Sequence, residues 1–158
     1  HTPPSIRTPS MMMTKGKRIY VLDTNVLIAL INGEPTAGAV THQLGELHAS
    51  GSLCGSGAVY AELLAGRDVT PAYLTDLFER TSVILDAAAD EMVWTTAGLA
   101  YGAYAGRRHA SGGQLPRRIL ADFLIGAHAR LRADQLFTLD PRRYQQAFPE
   151  LRVLDTTS

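Results

Sequence analysis

The sequence predicts an α/β fold: a mainly parallel sheet with helices on both faces. Three observations carry this reading. Short apolar, β-branched runs alternate with stretches whose apolar residues recur at helical spacing. No two strand-like runs are joined by a hairpin turn. The first run, IYVL at 19–22, is apolar throughout, the mark of a buried strand.

The elements follow in order. After the strand at 19–22, NVLIALING reads as a helix ending at Gly33. Val40, Leu44 and Leu47 share one face of a helix predicted over 36–49, which Gly51 ends. A short strand is predicted over 52–55. Ser56 is a good N-cap for GAVYAELLAG, closed by Gly66. Thr70 followed by Pro71 is a strong helix start for TPAYLTDLFER. SVILD is a strand. Met92, Thr95, Leu99 and Ala103 predict a longer helix over 87–104, and AGRRHASGGQLP reads as a loop. A helix is predicted over 117–132, then a strand in QLFTLD, a short helix in PRRYQQAF and a last strand in LRVLD. There is no internal repeat and no inner linker.

At 158 residues the length fits one domain, expected over 18–158. The stretch 1–17 reads as a flexible tail or expression remnant, with a natural start at one of Met11 to Met13. It has no apolar core of the kind a secretory signal needs. Lys plus Arg equals Asp plus Glu at 15 each, so the chain is not a bulk-electrostatic nucleic-acid binder, although a local basic patch is allowed. A single cysteine, Cys54, excludes a disulfide framework and a multi-cysteine zinc site, and its neighbours suggest a buried side chain. No run reaches the ~18 apolar residues of a membrane helix. A cytoplasmic location is the expectation.

In a parallel sheet, ligands bind beyond the carboxyl ends of the strands. Asp23, Asp86, Asp140 and Asp155 all end strand runs. Turn or capping duty is the simpler reading for Asp86 and Asp155. Glu62 and Asp122 are less ordinary, because each sits inside a helix among apolar neighbours, where a carboxylate is costly unless paired or metal-bound. Gly126 and Ala129 share the face of Asp122 and are expected to keep the space above it open. Asp23, Glu62, Asp122 and Asp140 are thus the candidate catalytic and metal-binding acids. If they converge, their mutual repulsion calls for divalent cations, and an all-oxygen donor set suits Mg²⁺ or Mn²⁺ over zinc. Such sites serve phosphodiester hydrolysis.

Four segments in this order, VLDTNVLIALI, GSGAVYAELLAG, ILADFLIGAHA and LFTLDPRRY, together resemble a PIN-domain ribonuclease. Their length and arrangement are most similar to the VapC toxins of bacterial toxin–antitoxin pairs. The resemblance spans roughly 18–154 and implies a PIN-like three-layer fold. It implies that Asp23, Glu62, Asp122 and Asp140 form the metal site, with Thr24 and Thr138 supporting it and Asn25 at a position that takes small polar residues. All four acids are present. Phe123 and Leu124 stand where many relatives vary. The resemblance also implies an endoribonuclease acting on RNA such as tRNA or rRNA, a homodimer, and a small antitoxin whose tail covers the acidic groove.

Arg117 and Arg118, before the Asp122 helix, and Arg142 and Arg143, after Asp140, are candidate contacts for the RNA backbone. Arg107, Arg108 and His109 are a further basic group in the predicted loop. His42, His48 and His128 have no acid at ligand spacing and are assigned to surface or core. Met92 and Trp94 are assigned to the core or a dimer face. Two rivals remain. A phosphoacceptor domain centred on Asp23 lacks the late lysine it needs, since no lysine follows Lys17. A non-catalytic PIN-fold module binding an antitoxin-like partner is disfavoured by the intact acid set.

Overall fold

The computed structural model describes residues 17–112 and 120–158. Five strands form one parallel sheet: β1 (Arg18–Leu22), β2 (Gly51–Ser56), β3 (Val83–Asp86), β4 (Gln135–Phe137) and β5 (Val153–Leu154), in the order β3-β2-β1-β4-β5. Helices flank it: α1 (Thr24–Ile31), α2 (Ala37–Ser50), α3 (Gly57–Leu64), α4 (Pro71–Thr81), α5 (Glu91–Ala110), α6 (Leu120–Arg132) and α7 (Pro141–Gln145). This is the predicted α/β class. Among the described residues, no helix is long and apolar enough to cross a membrane.

The central strand explains the apolar opening run. Tyr20, Val21 and Leu22 are all buried, because β1 lies inside the sheet with both faces covered. Leu136 and Phe137 of β4 are likewise fully buried beside it. Gly51 opens β2 where the chain passes close to β1, and a Cβ there would lie 2.1 Å from the Arg18 carbonyl oxygen. Cys54 is buried, as its neighbours suggested.

Several helix starts follow local chemistry. The Ser56 hydroxyl accepts from Val59 N at 3.3 Å and the Thr70 hydroxyl from Tyr73 N at 3.1 Å, with Pro71 in the first turn of α4. α5 departs from expectation. It begins at Glu91, after Asp90 caps Val93 N at 3.1 Å, and runs through the AGRRHA segment read as loop. The stripe whose spacing predicted this helix points outward: Met92 and Leu99 are 63% and 72% exposed, and Trp94 is also exposed, so of the two places assigned to Met92 and Trp94 the core is ruled out. The buried stripe is Val93 and Ala97, continued by Tyr101 and Tyr104. Those two rings meet Phe123 of α6 at centroid distances of 5.2 and 5.6 Å, and this accounts for Phe123.

Gly126 does not hold space open above Asp122. The ring of Phe148 lies against it, and a Cβ there would meet Phe148 Cε2 at 2.2 Å. The small residue lets α6 approach the segment after α7.

Candidate active site

The sheet order reverses direction at β1, with β2 on one side and β4 on the other. A crevice at such a point lies beyond the strands' carboxyl ends. Leu22 pairs with Phe137, so Asp23 and Thr138 emerge side by side, joined by a backbone bond from Asp23 N to the Phe137 carbonyl at 2.9 Å.

Thr138 is the hub. Its hydroxyl donates to Asp23 Oδ2 at 2.7 Å and accepts from Asp140 N at 3.0 Å. Asn25 spans the same gap: its amide lies 3.4 Å from the Thr138 hydroxyl, and its Oδ1 accepts from Leu139 N at 3.1 Å. Asp23 Oδ1 accepts from Thr24 N at 2.8 Å and so caps α1. The Thr24 hydroxyl reaches the other way and donates to Glu62 Oε1 at 2.7 Å. Two threonine hydroxyls therefore link Asp23 and its helix to α3 and to the start of α7.

Asp122 joins through a cation. Arg143 Nη1 lies 3.3 Å from Asp122 Oδ1, and Arg143 Nε lies 3.4 Å from Asp140 Oδ2. Arg143, a candidate RNA contact from the sequence, sits between two of the acids. Arg142 is exposed one residue earlier. Arg117 and Arg118 lie outside the described residues.

Burial sets the electrostatics. Asp23 is 2% exposed, and desolvation raises its pKa despite hydrogen bonds from Thr138 and Thr24 and the charge of Arg143. Tyr144, which sequence reasoning missed, is buried beside Asp23. Burial and the Asp23 charge push its phenol well up, and among the described residues its hydroxyl lacks a well-formed hydrogen bond. The only signal for Tyr144 was its place in the short helix that Pro141 begins. A buried acid, a half-buried glutamate, oxygen-only donors and a guanidinium already drawn between carboxylates fit a hard divalent cation. A groove of about 520 Å³ opens at Glu62, walled by alanines and by Leu120 and Leu124.

Asp155 is a half-buried turn acid, as expected, accepting from Thr157 N at 2.8 Å. Asp86 is not merely a turn acid, and His128 has an acid after all: the His128 ring lies 3.0 Å from Asp86 Oδ2, and both are buried. The pairing joins β3 to α6 across 42 residues of sequence, which no local spacing reveals.

Residues 20–149 match the family model of the PIN domain. No curated protein matches the sequence. Solved structures share the fold. VapBC-1 from nontypeable Haemophilus influenzae is 27% identical, with a TM-score of 0.57, covering 89% of this chain and 99% of that one. VapBC2 from Rickettsia felis, bound to a DNA fragment from its promoter, is 23% identical, with a TM-score of 0.57 and coverage of 87% and 98%. DNA-bound VapBC from Salmonella typhimurium is 19% identical, with a TM-score of 0.61 and coverage of 88% and 98%. With the family model spanning most of its length and the acids gathered where the sheet reverses, this chain belongs to the PIN-domain family and resembles its VapC-type members.

Proposed function

We propose that this protein is a Mg²⁺- or Mn²⁺-dependent endoribonuclease, the toxin of a VapBC-type pair. The observation that carries the reading is the threonine-bridged join of Asp23, Glu62 and Asp140 at the sheet's reversal, with Asp122 tied in through Arg143. Asp23, Glu62, Asp122 and Asp140 would hold the ion. Bound there, it supplies Lewis-acid activation of water and neutralises charge on the phosphate. The chain's own groups do the rest. Thr138 and Thr24 N hold the Asp23 carboxylate in one orientation, and Thr24 does the same for Glu62. Arg143 lowers the repulsion among the acids until the ion is bound, and then becomes available to a phosphate oxygen.

Similarity to VapBC complexes supports a small antitoxin partner. The apolar groove beside Glu62 suits an anchoring side chain of such a partner. RNA is the substrate, and a homodimer with a cytoplasmic location is the expected state. One observation favours the rival, a non-catalytic module: Arg143 already neutralises Asp122 and Asp140.

Purified protein should cut RNA with Mn²⁺ or Mg²⁺, and chelation should stop it. Asp23→Asn and Asp122→Asn should each lower the rate at least about a hundredfold while circular dichroism stays native. Cleavage that survives chelation, or both substitutions, would remove the acidic site from the chemistry. A chain that binds an antitoxin but cuts nothing would be the interaction module.

A further inference from the structure

Asp86, His128 and Arg132 form a buried group that the proposed chemistry does not use. Asp86 closes β3, and His128 and Arg132 stand one turn apart on α6. The carboxylate is 3% exposed, and its acceptor positions are filled. Oδ1 accepts from Ala88 N at 3.2 Å and Arg132 Nη2 at 3.2 Å. Oδ2 accepts from Arg132 Nε at 2.8 Å and lies 3.0 Å from His128 Nε2. Arg132 grips both oxygens as a planar fork, a geometry that lysine cannot supply.

Cys54 lies beside this group, and the ligating atoms of Cys54, Asp86 and His128 fall within 4.8 Å of one another. The composition suits zinc. The bonding does not: Asp86 has no oxygen position left for an ion, and Arg132 already supplies the positive charge. The Cys54 thiol is also held protonated, pushed up to about 12 by burial and by the Asp86 charge.

α6 carries Asp122 six residues before His128, about 9 Å along the helix axis. Packing at Gly126 brings the helix close to its neighbour, but apolar contacts tolerate small rotations. A two-pronged ionic bond does not. We infer that Asp86, gripping α6 through Arg132 and His128, is a positioning residue that sets the rotation and height of Asp122 at the active site. The inference rests on the acidic-site reading above.

The test is Mn²⁺ titration of the full chain, following free ion by electron paramagnetic resonance. Wild type is compared with Asp86→Asn and Arg132→Lys, each alone and combined with Asp122→Asn. Both substitutions should weaken Mn²⁺ binding about tenfold, and that loss should vanish once Asp122 is gone. A loss that persists unchanged in the Asp122→Asn background overturns the clamp, because its effect would not pass through Asp122. If Asp86→Asn does not fold, Arg132→Lys decides, since it keeps the charge and loses the fork. Wild type that binds no Mn²⁺ sinks the acidic-site reading instead. Amide exchange then judges the clamp: both substitutions should speed exchange across 124–129 more than in β1, and uniform change overturns it. Stoichiometric Zn²⁺ uptake that Cys54→Ser abolishes also overturns it, in favour of a metal centre.

Discussion

At Asp23 the demands of the site oppose those of folding. Burial raises its pKa, so the native carboxyl takes up a proton more readily than the unfolded chain does. Stability therefore falls as pH rises from the ordinary aspartate value through the raised native one, and stays lowered above it. Asp23→Asn removes the buried charge and keeps an acceptor for Thr138 or Thr24 N. It should raise the thermal midpoint at pH 7 by a few degrees, the shift that about 1 kcal/mol gives a chain of this size. The gain should vanish near about pH 3, where the wild-type carboxyl is protonated in both states. Scanning calorimetry at the two pH values checks this. A lower midpoint at pH 7 would mean that the bonds to the charged form outweigh burial. A more stable but inactive protein is the expected signature of a group kept for function.

Among the elements, α6 concentrates the constraints. It presents Asp122, receives Phe148 against Gly126, packs Phe123 under Tyr101 and Tyr104, and ends in the Arg132 fork. Gly126→Ala gains about 1 kcal/mol of helix propensity but forces the Phe148 ring to move, at a typical cost of 1–3 kcal/mol. The net should be a loss of about 1 kcal/mol in urea unfolding, partly restored by adding Phe148→Leu. A stabilised Gly126→Ala protein would show that the ring shifts freely. The residues also mark what could be read without coordinates. Ser56, Thr70 and Pro71 act on their own helix starts, so their roles were legible. α5 misled because Met92, Thr95, Leu99 and Ala103 repeat at helical spacing while facing outward, and spacing does not say which side is covered. Its extension through Gly106 and the arginines costs little, because arginine forms helices well and one glycine costs only about 1 kcal/mol. Glu62 and Asp122 stood out because a carboxylate among apolar neighbours is conspicuous in one dimension. Arg143 stood out only as a basic residue near Asp140 and Tyr144 not at all, since the bond from Arg143 to Asp122 and the place of Tyr144 beside Asp23 depend on other elements.

For the whole molecule, Asp86 links the two sides of the sheet. β3 is at one edge, while α6 leads into β4 on the far side of β1. Burial alone would raise the Asp86 pKa, but the Arg132 and His128 bonds outweigh it and hold the carboxyl below the ordinary range. An acid depressed in the native state adds stability above the unfolded value, and that stability is lost as pH falls through the native one. Asp86→Asn strands two donors of α6, one of them on the half-buried Arg132. The cost at pH 7 should be about 3 kcal/mol, the lower end of the range for breaking a buried pair, because Arg132 keeps some contact with water. Urea midpoints at about pH 7, 5 and 3 test the sign. The deficit should widen somewhat at the second, where His128 without Asp86 takes up a proton less readily, and shrink at the third, where wild type begins to lose the Asp86 charge. A deficit unchanged in acid would locate the loss in packing around β3, and the ionic bond between the sheet's edge and α6 would then have no share in holding the two sides together.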